Sequence, residues 1–164
     1  ARAKYLESAE IYRSIRRRYE ASGTSDIAGE FFHLEMVMKR NLMPLFSLPR
    51  FWSKLVDLSC GYGELPYRVI GSSITFIILN ALIFCIFGMT SGGETYVFNQ
   101  NLDLIGNLTI FGNALYYSVV SFTTLGYGDF IPISWSKPFA ALEAFVGAFM
   151  IALFVLAFVK KMTR

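Results

Sequence analysis

The chain has 164 residues, 54% of them hydrophobic and only 16% charged, with a formal net charge of +3. That balance lies well off the soluble norm, in which about a quarter of residues are charged, and excludes a nucleic-acid-binding chain built on dense basic charge. Most of the charge sits in residues 1–68, so the N-terminal third differs in kind from the rest.

Along residues 3–21 the apolar Tyr5, Tyr12, Ile15 and Tyr19 fall at helical spacing, and Ser22-Gly23-Thr24-Ser25 breaks the pattern. A second helix is predicted from Ile27 to about Asn41, with Ala28, Phe31, Phe32, Leu34, Val37 and Met38 on or near one broad face. Together they predict a helical hairpin over residues 1–43 that resembles one tetratricopeptide-type repeat. Solenoids of that kind need about three units to bury their faces. This hairpin must therefore pack on itself, on symmetry mates or on an upstream domain or protein partner, and Ala1, which opens in mid-pattern without a Met, predicts such upstream sequence. The run Arg16-Arg17-Arg18 is a solvated helix face or a contact for anionic lipid headgroups. It is no voltage sensor, which spaces its arginines along a hydrophobic span. His33, the only histidine, is read as a surface or packing residue.

Residues 44–68 form a connector. Pro44 and Pro49 bound a linker, and Phe51, Trp52, Leu55, Val56 and Leu58 set against Lys54 and Asp57 predict a short amphipathic helix in a membrane interface. Cys60-Gly61-Tyr62-Gly63-Glu64 is predicted to form a turn before Pro66. Cys60 and Cys85 have no metal-ligand company and imply no disulfide. Val69–Gly88 then runs twenty residues without a charge, and Pro138–Val159 is a second apolar stretch containing one charge, Glu143. About 20 residues at ~1.5 Å rise cross a hydrocarbon core of ~30 Å, so each is long enough to span a bilayer. Neither lies at the N-terminus, so neither is a secretory signal. Arg50, Lys54 and Arg68 precede the first span and Lys160, Lys161 and Arg164 follow the second, whereas Glu94, Asp103 and Asp129 lie between with Lys137. That asymmetry predicts a multi-pass protein of the cell membrane with both termini cytoplasmic. Asn107-Leu108-Thr109 is a formal glycosylation sequon in the outer loop.

Much of residues 89–137 is too apolar for an exposed loop and is predicted to re-enter the membrane. Asn113 is a candidate N-cap for a short, buried helix over 113–123, apolar almost all round from Leu115 to Phe122. Its C-terminal carbonyls, worth about half a negative charge, favour a cation beyond them. There stands Thr124-Leu125-Gly126-Tyr127-Gly128-Asp129. Backbone carbonyls aimed at a pore axis replace the water shell of a potassium ion, and Gly126 and Gly128 permit the positive φ such a backbone needs. Thr124 adds a hydroxyl oxygen, and Leu125 and Tyr127 are expected to point away and pack behind. Irregular backbone at membrane depth is tolerated only where it is buried in protein or lines a cavity, which one chain cannot arrange alone.

Span, pore helix, T-x-G-Y-G-D and span resemble the two-transmembrane, pore-loop potassium-channel family over residues 69–161 (spans 69–88 and 138–159, filter 124–128), with 162–164 as a C-terminal end. The fold class is accordingly an all-α membrane protein: a two-transmembrane tetrameric pore domain preceded by a cytoplasmic hairpin and an interfacial helix. The resemblance implies a homotetramer passing potassium down its gradient, prokaryotic in origin, with no cofactor beyond the permeant ion. It implies coordinating oxygens from Thr124, Leu125, Gly126, Tyr127 and Gly128, and Asp129 at the outer mouth. Thr123, Tyr116 and Tyr117 would support the filter, and Gly147 matches the inner-helix hinge. Helical spacing from Gly147 places Ile151, Ala152, Val155 and Val159 on the cavity. Two departures stand out: Leu125 where many relatives carry Val, and Val120 where some carry a Glu that pairs with the filter Asp. Glu143, about one turn inside the second span, reaches interfacial water or a polar group of the pore helix. A non-selective cation channel would need a degraded filter, and a potassium-transporter subunit would need concatenated copies. No constellation supports enzymatic chemistry.

Overall fold

A computed structural model of the chain describes residues 2–162; Ala1, Thr163 and Arg164 lie outside the described residues, and with them the C-terminal end beyond 162 and the flanking charge of Arg164. Two compact units are present: one ends at Ser72 and resumes at Leu153, and the other is Ser73–Ala152.

The first unit opens with α1 (Arg2–Ala21) and α2 (Ser25–Leu42), the hairpin expected from the apolar spacing. The helices run antiparallel: Tyr19 stacks on Phe31 at 5.7 Å, while Arg13, earlier in α1, meets Glu35, later in α2. Small side chains at Ala9, Ala28 and Gly29 are buried and let the helices approach. Glu35, on the same face as Phe31, is only 1% exposed and gathers three cations: Lys39 at 2.6 Å, Arg16 at 3.2 Å and Arg13 at 3.3 Å. Arg16 of the basic run is thus an internal pairing residue, which a charge run alone does not reveal.

Helix α3 (Leu48–Cys60) starts at the N-cap Ser47, whose Oγ accepts from Arg50 N, with Pro49 in the first turn where its missing N–H costs nothing. Leu48, Phe51, Trp52 and Leu58 are exposed along it, as are Leu45 and Phe46 ahead of it. On the other face Asp57 binds three side chains at once. Its carboxylate accepts from Arg40 of α2 at 2.6 Å, from Arg68 at 2.8 Å, and lies 2.8 Å from His33 Nε2. His33 is therefore part of the polar cluster around Asp57. Gly61–Gly63 forms a single 3-10 turn, the expected turn before Pro66, with the Tyr62 hydroxyl 2.6 Å from Ser53 Oγ. Glu64 pairs with Lys160 in the same unit.

The second unit contains most of α4 (Pro66–Phe87), then α5 (Leu104–Phe122), and most of α6 (Ser136–Met162). Helices α4 and α6 are long and apolar enough to cross a membrane. Helix α5 begins at Leu104, nine residues ahead of the expected 113, and its N-cap is Asp103 rather than Asn113. The reason is legible in its buried face: Ile110, Ala114, Tyr117, Ser118 and Phe122 repeat at helical spacing and carry the helix through Asn113. Three short strands, unforeseen in the sequence, tie the loops together: β1 (Met89–Ser91), β2 (Glu94–Tyr96) and β3 (Ile131–Pro132), antiparallel in the order β2-β1-β3. Gly92-Gly93 between β1 and β2 is the two-residue loop such a hairpin favours. The core joins Ala81, Phe84, Cys85 and Met89 to Ile110, Ala114, Tyr117 and Ala140. Phe84 and Tyr117 meet edge-on at 4.9 Å, and Ser136 Oγ donates to Gly88 O at 2.7 Å.

Burial opposes ionisation of Glu35, but Lys39, Arg16 and Arg13 outweigh it and hold its carboxyl below the ordinary 4.5. At Asp57 burial is likewise outweighed, by Arg40 and His33, and the carboxyl lies below 3.8. Carboxyls with a depressed folded pKa contribute their full stability above the unfolded value and lose it as pH falls through the folded one. Circular-dichroism melts of the whole chain in detergent are therefore expected to show a thermal midpoint that is flat near neutrality and drops below pH ~4. Glu35→Gln should lower the midpoint at neutral pH and flatten that acid limb.

Candidate functional site

Backbone hydrogen bonds hand α5 over to the Thr124–Asp129 segment. Thr123 N donates to Val119 O, Thr124 N to Ser121 O and Leu125 N to Val120 O, each at 3.0 Å. Thr123 also spends its hydroxyl there, donating to Val119 O at 2.7 Å. These bonds satisfy carbonyls that a helix end leaves open and fix the direction in which the chain departs.

Past this cap the backbone alternates in hand. φ is +58° at Thr124, +57° at Gly126 and +77° at Gly128, while Leu125 and Tyr127 between them remain on the negative side. A Cβ at Gly126 or Gly128 would meet no atom of the chain within 4 Å, so glycine is required there by backbone handedness and not by space. Thr124 has no such freedom. A β-branched residue in the left-handed region stores about 1–3 kcal/mol, and it is held there by the α5 cap and by its own hydroxyl, which donates to Thr123 O at 2.7 Å. A hydroxyl that donates its proton in this way keeps its lone pairs free to accept. Leu125 and Tyr127, expected to pack behind the segment, are 58% and 67% exposed in the single chain.

The segment leaves through Asp129, whose Oδ1 accepts from Phe130 N at 3.1 Å and whose carboxylate lies close enough to the Tyr116 hydroxyl to hold its pKa up. Tyr116 lies edge-on to Phe130, and Phe130 edge-on to Tyr96 of β2, so the small sheet anchors this end. Tyr117 turns the other way into the α4 core. Of the residues expected around the segment, Tyr116 is thus brought to Asp129, Thr123 to the helix cap, and Tyr117 to neither.

Helix α6 reaches α5 at two points one helical turn apart. At the first, Glu143 is fully buried with Oε1 2.5 Å from Ser118 Oγ. Its polar partner is the helix and not interfacial water, and this contact is the one the sequence left open. At the second, Gly147 lies so close to the end of α5 that an added Cβ would stand 2.0 Å from the Phe122 carbonyl oxygen. α6 continues without a break through Gly147, and Ile151, Ala152, Val155 and Val159 beyond it are all exposed. Val120 is buried.

A family model described as an ion channel matches residues 77–164, more than half of the chain. The chain belongs to this ion-channel family. Comparisons with curated proteins and with solved structures found no match. The matched region begins inside α4 and takes in the sheet, α5, Thr124–Asp129 and α6, so every contact of the preceding paragraphs lies in the channel's own signature. The chain is a membrane protein of the two-transmembrane channel family, and among the described residues α4 and α6 are the two helices long and apolar enough to cross a membrane.

The Gly147 contact has a direct test. In Gly147→Ala the new methyl must displace the Phe122 carbonyl or push α6 away, and ion flux from proteoliposomes is expected to fall at least tenfold while α6 itself gains helix propensity. Flux at the wild-type level would show that the two helices do not need this approach.

Proposed function

We propose that the protein is a potassium-selective channel that conducts passively as a homotetramer, with Thr124–Gly128 as its filter. The observation that carries this reading is the alternation of hand from Thr124 to Gly128. A strand sends successive carbonyls to opposite sides, whereas residues of alternating hand turn successive peptide groups the same way, and a column of carbonyls can then replace the hydration shell of potassium. Thr124, Leu125, Gly126 and Tyr127 supply the oxygens of that column, Gly128 carries the chain past it, and Asp129 stands at the mouth. The exposure of Leu125 and Tyr127 supports the oligomer: an apolar and an aromatic side chain beside irregular backbone at membrane depth need cover from other copies. Fourfold closure around one axis supplies it and places the negative ends of four α5 helices toward the permeant ion.

Gating on this reading lies in α6 below Gly147, where Ile151, Ala152, Val155 and Val159 form an apolar inner lining that closes by narrowing and dewetting. Both termini lie on the cytoplasmic side, as the flanking basic residues direct. The exposed Phe51, Trp52 and Leu58 of α3 fit a helix seated in the inner interface. The α1–α2 hairpin is then a regulatory or assembly module.

The reversal potential of the purified chain in a planar bilayer, potassium on one side and sodium on the other, is expected close to the potassium equilibrium potential; a value near zero would overturn the selectivity. Removing residues 1–47 separates the two roles of the hairpin. If it regulates, light scattering still finds a tetramer and only the open probability changes; if it assembles, the tetramer is lost.

A further inference from the structure

We infer that Glu143 is a positioning residue for the filter, acting as a neutral carboxylic acid that donates a hydrogen bond to Ser118 and through it ties α6 and α5 to α4. This rests on the potassium-channel reading above. Ser118 Oγ lies 2.8 Å from Ile77 O on α4 and 2.5 Å from Glu143 Oε1 on α6. A serine hydroxyl has one hydrogen, and a peptide carbonyl can only accept. Both contacts are hydrogen bonds at once when Ser118 donates to Ile77 O and Glu143 donates to Ser118 Oγ. A carboxylate has no hydrogen to give.

Burial leads to the same assignment. Glu143 and Ser118 are both 0% exposed, and Glu143 Oε2 has no hydrogen-bond partner among the described residues. Because Oε2 is already covered within one chain, a neighbouring copy does not reach it. Among the described residues an anion there would have a single hydrogen bond and no counter-charge, whereas the neutral acid leaves only one carbonyl-type oxygen unsatisfied. The proton therefore completes a chain of donors running Glu143 to Ser118 to Ile77.

The bridge bears on the filter through position. Ser118 lies on α5 six residues before Thr124, and one turn on from each partner the Gly147 backbone meets Phe122 O. Two contacts in register fix both the distance and the rotation of α5 against α6, and α5 sets where the Thr124–Gly128 carbonyls begin.

The test uses the full chain in lipid. Glu143→Gln, whose amide N–H can donate to Ser118 as the acid does, is expected to keep the wild-type reversal potential. Glu143→Ala and Ser118→Ala are each expected to raise sodium permeability relative to potassium severalfold, and the double variant to be no worse than either alone. The infrared difference between wild type and Glu143→Gln should contain one neutral-carboxyl C=O band. The inference is overturned if a selective wild type keeps its selectivity in Ser118→Ala and Glu143→Ala, if Glu143→Gln behaves like Glu143→Ala, or if that band is missing. Should Glu143→Ala fail to assemble, Ser118→Ala and the infrared band decide. A wild type that is itself non-selective defeats the potassium reading, and this inference with it, before any variant is compared.

Discussion

The approach of the α6 backbone to the last carbonyl region of α5 is the constraint on which the channel unit depends. A glycine at 147 allows two helices to touch main chain to side-chain-free main chain, and everything at the far end of α5 inherits its position from that contact. The three backbone bonds at Thr123, Thr124 and Leu125 pass that position on to the segment after it. Strain at Thr124 is tolerable only because both neighbours of the segment are held: α5 on one side, and Asp129 with Tyr116, Phe130 and the sheet on the other.

Three polar side chains of this unit tie separate segments together. Ser136 binds the end of α4 to the start of α6, Ser118 joins α5 to α4 and α6, and Asn107 holds the loop at Asn99 and Leu102. In an apolar surrounding a hydrogen bond missed is costly, so these contacts specify one arrangement among several that apolar packing alone would allow. The first unit uses the opposite economy. Its specificity comes from two carboxylates, Glu35 and Asp57, each surrounded by cations from different helices, and Asp57 joins α2, α3 and the start of α4 through one side chain.

The sequence was legible wherever a short-range pattern carries the physics. Apolar runs of spanning length marked α4 and α6, helical spacing marked α1 and α2, and glycines at 126 and 128 marked the left-handed positions. Thr124 was not legible as a third such position, because nothing in a threonine announces positive φ. The start of α5 was missed because Asn113 is as good a cap as Asp103 by residue type, and only the burial of Ile110 against α4 and its neighbours decides between them. The β-sheet had a signal in Gly92-Gly93, yet strands of two or three residues give too few positions for alternation to be read. The role of Glu143 turned on which of two partners it meets across 25 residues of chain, and the exposure of Leu125 and Tyr127 on whether cover comes from the same chain or another; neither is a local property.

The same exposure has a consequence for the life of the protein before it is complete. A newly inserted single chain carries a strained backbone segment in which a leucine and a tyrosine stand bare, uncovered by any of the described residues. On the tetrameric reading proposed above, the isolated protomer is an intermediate, and its half-life is set by how soon it meets another copy in the plane of the bilayer. Expression level and membrane crowding, acting through that encounter, would then decide how much of the chain matures and how much is left for quality control to remove.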